Sequence, residues 1–253
     1  MRRHAAYVLA VVAMTLVAGC SSTPKSPLRA DYPIRKILIA TDNNPAIGVS
    51  GGGMNTSDFL QLVLLAALRD SSGGNFVRGQ RDSRAAQQLA RLQQALAPSR
   101  LKLATEISEQ LARELENQGY VVEMLPQNLM GPTNDPLSID YEKLAPLADA
   151  VVTLQMRDST LHEYKMSNAH EPRLNISMQL LLLQTDQRIL EADYYYGNDA
   201  SRNKKRHFPS SRECVFPEIR PEEPFGSALA RCFRDGATLM VQNAAEDIVT
   251  LLR

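Results

Sequence analysis

Gly48-Val49-Ser50-Gly51-Gly52 sets a serine in the Gly-x-Ser-x-Gly spacing of a nucleophile elbow. In that device a sharp strand-to-helix turn exposes the hydroxyl for acyl transfer. The surroundings fit the chemistry poorly. The apolar run before the serine ends near Thr41, the next helical pattern opens several residues after it, and one strand rather than several precedes it. His162, His170, His207, Asp186 and Asp193 lie downstream, but a triad is defined by geometry, which spacing does not supply. A serine hydrolase using Ser50 is therefore the third of three functional readings, and no catalytic residue is assigned.

The same glycines nearly match a P-loop. Gly48 and Gly53 are correctly spaced, but Met54-Asn55 stand where Lys-Ser/Thr is needed to reach nucleotide phosphates and magnesium. Gly48 to Gly53 is read as a mobile surface loop. His162-Glu163 and His170-Glu171 do not form His-Glu-x-x-His, and the two histidines are expected at the surface, in a polar hairpin loop. No metal ligand and no cofactor are expected. Arg202, Lys204, Lys205 and Arg206 form a basic cluster beside His207 and Phe208, a candidate patch for phosphate-bearing headgroups, an anionic polymer or an acidic protein. Tyr194, Tyr195 and Tyr196 alternate along a strand pattern, so at least one ring is expected to face outward.

The N-terminus carries the most specific signal. Arg2 and Arg3 precede an apolar run from Ala5 to Ala18, too short to span a bilayer and suited to the core of a signal peptide. The run ends in Leu16-Val17-Ala18-Gly19-Cys20, followed by Ser21. This segment resembles the lipobox of bacterial lipoproteins. The resemblance implies removal of residues 1–19, lipidation of Cys20 and, with serine rather than aspartate after the cysteine, sorting to the periplasmic face of the outer membrane. Residues 20–31, rich in Ser, Pro and Lys, read as a tether. Residues 32–253 are expected to form a single periplasmic α/β domain.

Composition agrees with that compartment. The 28 basic and 28 acidic side chains balance, which argues against a nucleic-acid partner. With Cys20 lipidated, Cys214 and Cys232 remain as an even pair in an oxidising space, and a structural disulfide between them is expected. No Cys-x-x-Cys motif is present.

Periodicity then supplies the frame. Ile34 to Thr41 reads as a first strand, and Thr56 or Ser57 caps an apolar helix running to about Arg69. Ala85-Leu89-Leu92-Leu96 and Ala104-Ile107-Leu111-Leu115 are two helical stripes, the second stopped by Gly119. Tyr120 to Leu125 is a short strand, and a short helix is expected near Tyr141 to Leu147. Ala150 to Arg157, Leu174 to Leu180 and Ile189 to Gly197 alternate as strands, the last two joined by a hairpin turn at Thr185–Arg188. Leu229, Phe233, Met240, Ala244, Ile248 and Leu251 stripe a long closing helix. The expected fold is α/β: a mixed sheet of about five strands with helices packed against it.

From Arg100 to Arg253, the helix ending at Gly119, the segment Leu147-Ala148-Asp149-Ala150-Val151-Val152, the Leu174–Gly197 hairpin and the closing helix resemble a broad set of envelope lipoproteins. These are the ABC-type transport auxiliaries, the curli-secretion lipoproteins and the activators of penicillin-binding proteins. The resemblance implies a non-catalytic accessory or scaffold role, through an envelope protein partner or self-association. The alternative is a carrier of lipid or another apolar ligand, in a cleft between the sheet and the Leu60 helix.

Overall fold

The computed structural model describes residues 32–41, 46–51, 80–126, 129, 139, 141–164, 169–198 and 206–253. The elements are β1 (Lys36–Thr41), β2 (Gly48–Gly51), α1 (Gln80–Leu96), α2 (Leu103–Asn117), β3 (Val121–Met124), β4 (Ala150–Glu163), β5 (His170–Leu182), β6 (Gln187–Tyr196), β7 (Arg206–Phe208) and α3 (Glu223–Leu252). The helix expected from Thr56 to Arg69, and the cleft beside Leu60, lie outside the described residues.

All seven strands belong to one mixed sheet, ordered β3-β1-β4-β5-β6-β7, with β2 also paired to β4. The two additions to the expected five are β2 and β7. β4 is long enough to hold two parallel neighbours on one edge: Ile37–Thr41 run beside Ala150–Leu154, and Gly48–Gly51 run beside Thr160–Glu163. Of the glycines read as a loop, Gly48 and Gly51 therefore belong to a strand, because the long β4 offers a ladder that local composition does not reveal. The expected helix near Tyr141 is only a 3-10 turn, Tyr141–Lys143.

The apolar face of the sheet is a strict alternation. Leu174, Ile176, Met178, Leu180 and Leu182 of β5 are all buried beneath the helices. α2 ends as its sequence dictates. Gly119 adopts φ 93°, its N–H bonds the Glu116 carbonyl and that of Tyr120 bonds Leu115, a Schellman closure. α3 lies along the same face and buries Leu229, Phe233, Met240, Ala244 and Ile248. Two glycines let it approach. A Cβ on Gly226 would stand 2.0 Å from the Ala95 carbonyl oxygen, and one on Gly236 would stand 2.4 Å from the Tyr196 ring. Farther along α3, Asp247 accepts from the Tyr194 hydroxyl at 2.7 Å and pairs with Arg206, so one carboxylate ties the helix to β6 and β7.

All three tyrosines are buried, contrary to the expectation of an outward ring. Tyr194 and Tyr196 fill the helix-covered face. Tyr195 points the other way, where its ring lies 5.9 Å from that of His207. On this second face, a smaller apolar cluster at the β1 side (Leu38, Ala40, Val151, Leu144, Leu183) is covered by parts of residues 125–148. Beyond it the face is polar.

Candidate functional site

Ser50 and His162 are cross-strand partners in the β2–β4 ladder. Ser50 Oγ lies 3.3 Å from His162 Nδ1 and donates to Thr160 Oγ1 at 3.1 Å. A serine and a histidine far apart in sequence thus meet. Yet the serine sits in an extended, paired strand, not on a strained turn that frees neighbouring amides for an oxyanion. Its hydroxyl is shared with a threonine on the next strand. The pair is a polar rung of a sheet.

The two histidines expected in a surface loop lie in strands. His162 is near the end of β4, and His170 opens β5, buried, with its backbone paired both ways to Phe216 at 2.6 and 2.7 Å. No group of three or more His, Cys, Asp or Glu suited to a metal occurs among the described residues. Beside His170, Gln87, Arg91 and Glu218 border a cavity of about 290 Å³.

Sequence reasoning passed over Glu171, which is completely buried. Its carboxylate accepts from the Asn198 backbone N–H at 3.1 Å, the Asn198 side-chain amide at 2.8 Å and the Ser210 hydroxyl at 2.9 Å. These donors come from both sides of the basic segment, so Glu171 clamps its base. A charge adjoining Pro172, in a run that otherwise alternates, was the available signal. Arg206 is in β7 and is paired with Asp247; Arg202, Lys204 and Lys205 lie outside the described residues, as does Cys20.

Cys214 and Cys232 are joined by a disulfide with Cα atoms 5.7 Å apart, fastening the 3-10 turn Arg212–Cys214 to α3. Both are buried. Across α2 and α3, Arg234 bonds Glu106 through two nitrogens at 2.9 and 3.1 Å. That hydrogen-bonded pairing lowers the Glu106 pKa and raises that of Arg234. Burial raises the Tyr194 and Tyr196 pKa values, that of Tyr196 to about 12, with the Asp235 charge adding to the effect at Tyr196.

The start of β1 is latched. Asp149 Oδ2 accepts from the N–H groups of Arg35 and Lys36 at 2.8 and 2.9 Å, and the Tyr32 hydroxyl donates to the Asp149 carbonyl at 3.2 Å. Chain entering from the N-terminal side is thereby fixed at one end of the sheet. On the second face of the sheet, a cavity of about 310 Å³ is floored by Val151, Thr153, Gln179 and Leu181 and bordered by Tyr141, Asp186 and Arg188.

No family model matches the chain, and no curated protein matches it. Among solved structures, it is similar to protein XCC0632 of Xanthomonas campestris (9% identity over 89% of this chain and 88% of that one, TM-score 0.39). It is also similar to lipoprotein GNA1162 of Neisseria meningitidis (13%, 67% and 88%, TM-score 0.30). A third is the C-terminal domain of LpoB from Escherichia coli (16%, 67% and 87%, TM-score 0.19). Likenesses this remote assign neither family nor activity.

Proposed function

We propose that the chain is a lipid-anchored accessory protein of the outer membrane's periplasmic face, acting through protein contacts. The observation that carries this reading is the N-terminus: a charged, apolar leader ending in Leu16-Val17-Ala18-Gly19-Cys20-Ser21, followed by a tether that meets the fold at Tyr32. Residues 32–253 form the single periplasmic domain of this reading. Fully extended, the segment from Cys20 to Tyr32 reaches only about 40 Å, so the Asp149 end of the sheet stays close to the bilayer. Tethering raises the domain's effective concentration near a partner held in the same envelope.

The fold gives this reading a direction. Tyr32 lies at the end of the sheet that carries the β5–β6 turn, where its hydroxyl also accepts from the Gln184 N–H at 3.4 Å. Asn198 lies at the other end, bonded to Glu171 at the start of β5, whereas Arg206 stands beside Tyr194, which faces Ile176 midway along β5. Thirteen residues of β5 separate the two ends, about 40 Å at strand rise. We read the candidate patch of Arg202, Lys204, Lys205 and Arg206 as serving an anionic partner. The test is cross-linking in intact cells of the wild-type protein and Cys20→Ala. A reproducible protein partner, captured less by Cys20→Ala, supports the reading. Co-purified lipid without a protein partner would favour the carrier instead.

A further inference from the structure

The polar face of the sheet holds two side-chain oxygens whose chemistry is unfinished. Gln155 Oε1 and Asn175 Oδ1 are shielded from solvent and accept no hydrogen bond. Buried polar atoms are nearly always satisfied, so each lone acceptor calls for an explanation. Both belong to one surface. Gln155 stands opposite Ser177, Asn175 stands opposite Asp158, and the rung on the other side of Gln155 is Thr153–Gln179, in the floor of the 310 Å³ cavity. The rung neighbouring Gln155 thus borders a concave space with a tyrosine wall.

We propose that this row and cavity form a binding site for a neutral, polyhydroxylated ligand, a segment of glycan chain. Three features select that class. The two amide oxygens need donors, whereas the amide nitrogens of Gln155, Asn175 and Gln179 offer donors of their own. Hydroxyl groups meet both needs at once, whereas an ammonium donates only. Arg188, the cation on the cavity wall, is paired with Glu191 at 3.1 Å, and the Asp186 carboxylate borders the same space, so an anion has little reason to prefer the site. Tyr141 and Leu181 supply an apolar flank for the C–H face of a sugar ring, and the volume is at the lower end of ligand pockets, about 300–1,000 Å³. A protein partner fits less well, because interface cores are depleted of charged groups, whereas Asp186 and Arg188 border this cavity and Thr153 and Gln179 lie in its floor.

The site makes a prediction that a structural polar row does not. Replacing an unsatisfied buried acceptor by an apolar group of similar shape is neutral or stabilising, whereas ligand binding through that acceptor is lost. The full-length protein, Gln155→Leu and Tyr141→Leu are titrated calorimetrically with N-acetylglucosamine, glucose (β1,4) and glucose (α1,4) tetrasaccharides, and their melting temperatures are measured. The expected result is that at least one tetrasaccharide binds, that each variant weakens it about tenfold or more, and that Gln155→Leu melts no lower than the parent. Absence of binding by all three sugars, undiminished binding by both variants, or a clear fall in the melting temperature of Gln155→Leu would overturn the proposal. The site does not depend on Cys20 lipidation, so its failure and that of the anchoring model are read separately.

Discussion

Gly236 and Tyr196 are packed so closely that the helix backbone takes the place of a side chain: a Cβ there would meet Tyr196 Cδ1 at 2.4 Å. The contact lets α3 settle onto β6 and seals a tyrosine that is 2% exposed. In an ordinary helix interior, Gly→Ala stabilises by up to about 1 kcal/mol. Here Gly236→Ala is expected to destabilise by about 1–3 kcal/mol, as overpacked cores do. Urea unfolding checks the sign, and Gly236→Ala combined with Tyr196→Leu should recover part of the loss. A simple gain in stability would mean that the close approach is wrong.

The disulfide should be present in protein taken from cells. Cys214 and Cys232 are expected to resist alkylation until reductant and denaturant are added. Cys232→Ala should cost about 3 kcal/mol by the chain-entropy argument for a loop of this length. Peptide mass mapping with and without reductant gives the answer directly.

Glu106 and Tyr196 contribute to the pH dependence with opposite sign. Glu106 is held below its ordinary 4.5 by Arg234. Its contribution is present above pH 4.5 and is lost as pH falls through the lowered value. The pair is partly exposed, so the loss is small, about 0–1 kcal/mol. Tyr196 is pushed from 10.0 up to about 12. Between those values the unfolded chain releases a proton that the folded chain keeps, so stability falls as pH rises from 10 towards 12. Tyr194 is raised in the same direction, so Tyr196→Phe should lessen, without abolishing, that alkaline decline in melting curves recorded from pH 9 to 11.

Glu171 is a buried carboxylate satisfied by neutral donors, and removing the donors should hurt more than removing the charge. Asn198→Ala deletes the side-chain donor at 2.8 Å and is expected to destabilise by about 1–3 kcal/mol. Proteolysis near residues 199–205 should accelerate, because the clamp joins both sides of that segment. An unchanged digestion rate would remove the clamp from the account.

The sequence was most legible where one periodicity governs one element. The alternation of Leu174 to Leu182 and the stripe from Leu229 to Ile248 describe β5 and α3 nearly residue for residue, because each buries one face against a single partner. It was least legible where a partner far along the chain decides. Gly48–Gly51 has Val49 as its one strand-favouring residue, and the second half of β4 is what makes it a strand. The three tyrosines gave no sign that α3, through Gly236, would cover one face so completely while His207 lay against the other. Ser50 and His162 meet for the same reason, through a register that no spacing encodes. The polar row of Asn175, Ser177 and Gln179 was visible as alternation, but its lone acceptors emerge only when β4 is set beside it.

Anchoring at Cys20 is the claim from which the proposed role follows, and the N-terminal peptide of protein extracted from cell membranes tests it most directly. Mass spectrometry should find a chain that begins at Cys20 and carries acyl groups, and Cys20→Ala should move the protein out of the membrane fraction. A mature chain with a different first residue, or a Cys20 thiol that alkylates freely in protein recovered from the soluble fraction, would contradict the account.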